Sequence, residues 1–243
     1  MAVWARPECA ISVAHPPDQA YLAVMLDVNA ALAQPHVTRR DAYRAPDWLV
    51  PQIDLDFDLD PAATRIRARP QVVRNEADAS AIRLDGGGQS PVSVTVDGVA
   101  RSDWSIDDGV LIIPLAGDAH LIETDVTIAP ERNTQLMGLY ASGGLLCTQC
   151  EAEGFRRITF FPDRPDVLSR YFVRMTADKE RYPVLLANGD PIDSGDLPDG
   201  RHWAEWRDPF PKPSYLFAMV AGDLVANRAR FTTRSGRQVA LGI

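Results

Sequence analysis

Residues 147–151 read Cys-Thr-Gln-Cys-Glu, inside the stretch "LLCTQCEAEGFRRITFFPDRPDVLSRY". Three kinds of chemistry fit those residue types. A C-x-x-C pair can supply half of a structural zinc site, but such a site takes four ligands, usually from a second close pair of Cys or His. Cys9, His15, His36, His120 and His202 are scattered and form no second pair at ligand spacing. A thioredoxin-like redox pair needs a helix N-terminus in a βαβ setting to lower a thiol pKa, and the sequence shows no βαβ alternation. No metal ligand is therefore assigned to this chain.

The third reading follows from strand geometry. Successive side chains of a strand point to opposite faces, so Leu146, Thr148 and Cys150 share one face and Cys147, Gln149 and Glu151 the other. The two cysteines then point apart as small, buried or half-buried residues, and Gln149 and Glu151 point together. A carboxylate beside an amide suits a cationic amine, because hydrogen bonds to an ionised acceptor contribute about 1.5–3 kcal/mol net. The free N-terminus of a peptide is one such cation. The plainer alternative is a solvated strand edge, or a Glu151 paired with Arg156 or Arg157. Spacing alone does not separate these alternatives.

Other familiar constellations fail. There is no H-E-x-x-H, no phosphate-binding loop, no G-x-S-x-G elbow and no EF-hand loop, and "LDGGGQS" lacks the Lys and helix that would follow in a P-loop. Ser, His and Asp residues occur throughout without a local triad signature. No catalytic residue is assigned.

The elements that must position Gln149 and Glu151 are strands. Ile53, Leu55, Phe57 and Leu59 alternate with Asp54, Asp56, Asp58 and Asp60, as a strand with one solvated face requires. Similar runs recur at "RIRARPQVV", "VSVTVDGV", "DWSI", "GVLIIPL", "LIETDVTIAP", "YFVRMTAD", "PVLLANG", "HWAEWRD", "YLFAMVAGDL" and "RARFTTR", many separated by turn sequences such as "VDG", "DDG", "NGD" and "RSG". Helical signals are confined to Ala20–Leu32 and to a turn around "RPDVLSR" that Asp163 or Pro165 would open. "DPFPKPSYLF" reads as a rigid connection ahead of a buried strand, and Trp203 and Trp206 as packing residues.

These patterns predict an all-β fold, a β-sandwich or barrel-like domain over residues 41–243, preceded by a partly helical or disordered extension over residues 1–40. Met25 is an alternative initiation site, which would make residues 1–24 an artefact of start choice. The ending "TTRSGRQVALGI" stops inside a strand-like run, and a continuing chain is expected.

The totals narrow the function classes. A chain of 243 residues with 46% hydrophobic and 24% charged residues matches an ordinary globular protein. A net charge of -8 without a basic stripe argues against nucleic acid or an anionic membrane as partner. No run approaches the roughly 18 apolar residues of a membrane span, and the start lacks the apolar core of a signal peptide. Three cysteines, Cys9, Cys147 and Cys150, are too few for a disulfide framework. A cytoplasmic location is the resulting expectation.

With these residues in view, the chain resembles a known family, the N-terminal domain of bacterial aminopeptidase N, a zinc-dependent alanyl aminopeptidase of the gluzincin class. The likeness runs through "YRAPDWLVPQIDLDFDLDP", "LMGLYASGGLLCTQCEAEGFRRITFFPDRPDVLSRY", "GRHWAEWRDPFPKPSYLFAMVAGDL" and "FTTRSGRQVAL". The resemblance implies a saddle-like β-sandwich that packs against a thermolysin-like catalytic domain and closes one side of its active site. It also implies that Glu151 binds the free α-amino group of a peptide substrate, with Gln149 beside it at the first side-chain pocket. The family's zinc ligands, general base and Gly-Ala-Met-Glu-Asn motif belong to the following domain and have no counterpart in this sequence. Zinc is thus implied for a full-length enzyme and not for this chain, whose isolated form is expected to be inactive. A truncated, stand-alone β-domain that binds amino termini or another protein without catalysis is the alternative.

Overall fold

The computed structural model describes residues 39–242. The expected helical patch Ala20–Leu32 and most of the expected extension over residues 1–40 lie outside the described residues. One compact unit spans Ala45–Ile243.

In chain order the strands are β1 (Trp48–Asp58), β2 (Thr64–Arg74), β3 (Ala81–Leu84), β4 (Pro91–Val96), β5 (Val99–Ala100) and β6 (Ser105–Asp107). There follow β7 (Val110–Pro114), β8 (Ala119–Ile128), β9 (Gly138–Ser142), β10 (Leu145–Gln149), β11 (Ser169–Asp178) and β12 (Val184–Ala187). The last are β13 (Asp190–Asp196), β14 (Arg201–Lys212), β15 (Met219–Gly222), β16 (Arg228–Thr232) and β17 (Gln238–Gly242). Helical structure among the described residues is limited to 3-10 turns of three residues. The fold is all-β.

An eight-stranded sheet has the order β13-β14-β11-β1-β2-β8-β4-β5, with β1 and β11 parallel and its other neighbours antiparallel. A four-stranded sheet runs β12-β15-β10-β9, and β3-β7-β6 and β16-β17 form two smaller sheets. The sequence alternation in β1 has its structural counterpart: Ile53, Leu55 and Phe57 are buried, while Asp54, Asp56 and Asp58 stand opposite Arg69, Arg67 and Arg65 of β2. Opposite charges directly across an antiparallel pair favour this register, and a slip by one residue would turn the apolar set to water. The same outer face carries Arg174 over the Trp203 ring at 4.0 Å.

Local turn chemistry closes the hairpins. Asp60 accepts the Ala62 and Ala63 amides at 2.8 and 3.0 Å between β1 and β2. Asp97-Gly98 and Asp108-Gly109 have positive φ at both positions, as tight two-residue hairpin turns require. The Asp97 carboxylate is also bonded to His120 Nδ1 at 2.7 Å and to the Leu121 amide at 2.9 Å. These bonds, led by the one to His120, hold its pKa below the usual carboxylate value.

Three expectations are corrected here. Asp163 and Pro165 open no helical turn; Pro165 and Asp166 form a simple turn. Asp163 is instead buried as a partner for the Arg156 guanidinium and the Ser214 hydroxyl. The run "YLFAMVAGDL" is a strand only over Met219–Gly222, because Ser214–Leu216 coils into a 3-10 turn whose Ser214 hydroxyl is bonded to Asp163. Pro209 and Pro211, read as part of a connection, lie within β14.

The inner faces of the large, four-stranded and three-stranded sheets share one buried core. Its aromatic centre is Phe155, which meets Phe161, Tyr171 and Phe217 edge-on at ring distances of 5.1, 6.0 and 5.2 Å. Edge-to-face packing of this kind is favoured by the ring quadrupoles. Phe155 follows immediately on the turn that carries Glu151.

Candidate functional site

β10 pairs with β9, so that Gln149 stands opposite Gly138 and Cys147 opposite Tyr140, and with β15 on its other side. Leu146 and Cys150 are buried, Cys147 and Thr148 are half-buried, and Gln149 and Glu151 are exposed. Gln149 and Glu151 thus share exposure, as side chains on one strand face would. The means differs from the expectation. β10 ends at Gln149, and Glu151 opens a turn over residues 151–154 whose Glu151–Ala152 peptide bond is cis. Gln149 Nε2 donates to the Glu151 carbonyl at 3.3 Å, which ties the strand end to the turn.

The thiols are not equivalent. Burial pushes the Cys150 thiol up to about 12, with the nearby Asp163 charge adding to the effect. Its reactive thiolate is then scarce at neutral pH. Alkylation with iodoacetamide at pH 8, followed by peptide mass mapping, is expected to modify Cys150 only after denaturation. Rapid labelling of Cys150 in the native protein would contradict this arrangement. Among the described residues no group of three or more His, Cys, Asp and Glu could hold a metal ion.

Beneath the turn, Asp163 acts as the anchor. Its Oδ2 accepts the Arg156 main-chain N–H and the Arg156 Nε–H, both at 3.1 Å, and its Oδ1 accepts the Ser214 hydroxyl. The Asp163 N–H in turn donates to Asp85 Oδ2 at 2.9 Å. Arg156 also reaches Glu153 at 3.4 Å and the Asp163 carbonyl at 3.1 Å, and its own carbonyl accepts Gln89 Nε2 at 2.7 Å. These bonds commit the Arg156 guanidinium to Asp163 and Glu153. The sequence alternative that paired Glu151 with Arg156 or Arg157 is not what forms, and Glu151 takes part in no ion pair among the described residues.

What this arrangement offers chemically is an exposed carboxylate on a braced turn, beside an amide, with no ion pair to another of the described residues. Sequence reasoning singled out Gln149 and Glu151 but did not foresee the residues that brace their segment, Asp163, Arg156, Ser214 and Gly154. The available signal was the run of polar residues inside an apolar stretch, "FRRITFFPDRPDV", which demands buried partners.

Residues 110–216, which contain β9, β10, the turn and the Asp163 anchor, match the Peptidase M1 N-terminal domain. The chain carries a peptidase M1 N-terminal domain. It is 49% identical over 208 residues to aminopeptidase N of Escherichia coli K12, a match covering 86% of this chain and 24% of that protein. Aminopeptidase N of Caulobacter vibrioides is 51% identical over 203 residues, covering 83% and 23% of the two chains. This M1 N-terminal domain thus spans about a quarter of the length of the curated relatives it matches.

Solved structures agree. The crystal structure of Legionella pneumophila aminopeptidase A in complex with aspartic acid matches with a TM-score of 0.79 and 34% identity, covering 84% of this chain and 25% of that one. An M1 zinc metallopeptidase from Deinococcus radiodurans, bound to a Tyr-Ser-Ala substrate, matches with a TM-score of 0.67 at 19% identity over 80% of this chain and 46% of that one, a likeness of fold. The all-β reading of the M1 N-terminal domain and the family resemblance are both upheld.

Proposed function

We propose that this M1 N-terminal domain anchors the free α-amino group of a peptide substrate for a zinc-dependent aminopeptidase. Glu151 supplies the carboxylate that accepts the ammonium, and Gln149 stands beside it at the first side-chain pocket. The observation that carries this reading is the exposed Glu151 carboxylate, without an ion pair among the described residues, on a turn that Asp163 braces from below.

A cation held there would gain charge-assisted hydrogen bonds and would fix which peptide bond is presented for cleavage. The described residues do not fit a zinc ion. Water activation and peptide hydrolysis are assigned to a thermolysin-like catalytic domain of the same enzyme, and no step of that chemistry is routed through residues of this chain. A cytoplasmic setting accords with two cysteines, Cys147 and Cys150, that form no disulfide.

Titration of the chain with alaninamide, followed by amide NMR shifts, is the direct test. Glu151→Gln keeps size and hydrogen bonding but removes the charge. It is expected to weaken amine binding roughly tenfold or more, the equivalent of one charged hydrogen bond. The melting temperature should move little, because the side chain is exposed and makes no ion pair among the described residues. Equal binding by both proteins would remove Glu151 from the reading, and N-acetylated ligand binding as well as alaninamide would remove the amino group.

A further inference from the structure

A polar cleft of about 340 Å³, beside the 3-10 turn Phe155–Arg157, is lined by two arginines, Arg132 and Arg157, with no Asp or Glu among the described residues that form it. In a chain of net charge -8, a concavity whose only formal charges are positive concentrates an anion-attracting field.

The two arginines differ from their neighbours. Arg156 is committed to carboxylates, whereas the guanidinium groups of Arg132 and Arg157 enter no ion pair among the described residues. The stem of Arg157 is held in place by two glycines. A Cβ on Gly87 would lie 2.6 Å from Arg157 Cγ, and one on Gly138 would lie 2.8 Å from Arg157 Cβ. Glycine at both positions leaves room for the Cβ and Cγ of this half-buried side chain, which seats its stem at the cleft wall.

Gln89 and Asn133 also line the cleft, but their amides are occupied. Gln89 bridges the Gly87 N–H and the Arg156 carbonyl, and Asn133 Nδ2 bonds the Met137 and Leu139 carbonyls at 2.8 and 2.9 Å. They hold the walls. The hydroxyls of Thr127 and Thr134 and the amide of Gln135 are the neutral donors left beside the two guanidiniums.

We propose that this cleft is a binding site for a small dianion, a phosphate or a dicarboxylate, held by Arg157 and Arg132 from opposite elements, the 3-10 turns Phe155–Arg157 and Pro130–Arg132. A planar guanidinium presents paired donors that match two oxygens of such a ligand. The site is distinct from Glu151, and an ammonium has no acceptor carboxylate in it.

The test is titration of the 243-residue chain with inorganic phosphate and with malonate, against sodium chloride at matched ionic strength, observing the arginine Nε–Hε and backbone amide NMR signals. Saturable shifts confined to Arg132, Arg157, Thr127, Thr134 and Gln135 are expected, with phosphate and malonate competing. Saturation by one of the two and not the other would also support the site and name the ligand class. Arg132→Gln, at an exposed position, and Arg157→Lys, which keeps stem and charge but loses the fork, should each weaken binding roughly tenfold or more. Shifts that grow linearly and equally with chloride, or an affinity unchanged in both variants, would overturn the assignment.

Discussion

Replacing Gly154 with alanine is expected to destabilise the domain by about 3 kcal/mol or more, at the upper end of what overpacking a close-packed site costs. A Cβ at this position would lie 2.3 Å from the Gln149 carbonyl oxygen, 2.8 Å from Cys150 Cα and 3.0 Å from the Gly138 nitrogen. All three are main-chain atoms, so no side chain can rotate away to make room. The Gly154 backbone itself is ordinary, at φ -86° and ψ -22°; closeness, not a left-handed conformation, is what demands glycine here. The Gly154 N–H also bonds the Cys150 carbonyl at 2.8 Å, so relief of the clash must open the turn that carries Glu151. Urea denaturation should show a lower midpoint at unchanged m, the pattern of a stability change without a change in denatured-state exposure. Gly242→Ala, where a Cβ would meet nothing within 4 Å, is the control and should stay within about 0.5 kcal/mol of the parent. A Gly154→Ala protein with the parent midpoint would show that the turn is not clamped as described.

The contrast between Gly154 and Glu151 shows what a sequence discloses. Elements whose burial alternates locally were legible: β1 declares itself by the Asp ladder, and the Asp-Gly turns by residues that tolerate positive φ. β13 was not legible. Its residues Asp190–Asp196 are almost all exposed and show no alternation, and they form a strand only because β14 offers an edge to pair with. β3 was hidden for a related reason: its four residues are too few to establish a period of two, and its partner β7 is distant in sequence. The prolines of β14 misled in the opposite sense, since local propensity speaks against a strand that sheet pairing nonetheless maintains.

At the site the same division holds. Period-two reasoning put Gln149 and Glu151 on one side, and the structure exposes both; yet Glu151 gets there by a turn after the strand has ended. The pairing of Arg156 was not predictable from spacing, because its chief partner, seven residues on, is chosen by burial. Asp163 is only 1% exposed at its side chain, and an interior carboxylate must be satisfied by whatever cation and hydroxyls the fold delivers.

That requirement sets the second large effect. Asp163→Ala is expected to destabilise the domain by about 3–5 kcal/mol, the range found when one partner of a buried ion pair is removed. The substitution leaves the Arg156 N–H, the Arg156 Nε–H and the Ser214 hydroxyl without the acceptor each uses now. Arg156 is half-buried and can turn partly toward Glu153 and solvent, which places the effect nearer the lower end; Ser214 is 1% exposed and has no such escape. For a domain of this size the melting temperature should fall by roughly 6–20 °C. Asp163→Asn, which keeps the volume and one acceptor oxygen, should cost less than Asp163→Ala, since it can serve either Arg156 or Ser214 but carries no charge. A double-mutant cycle with Ser214→Ala separates the contributions: the two changes share one hydrogen bond and should be less than additive. The cycle also bears on binding. If Asp163 braces the turn, Asp163→Asn should weaken alaninamide binding while Ser214→Ala, which leaves both Arg156 bonds in place, weakens it less; equal effects of the two on binding would mean that Asp163 stabilises the core without placing Glu151.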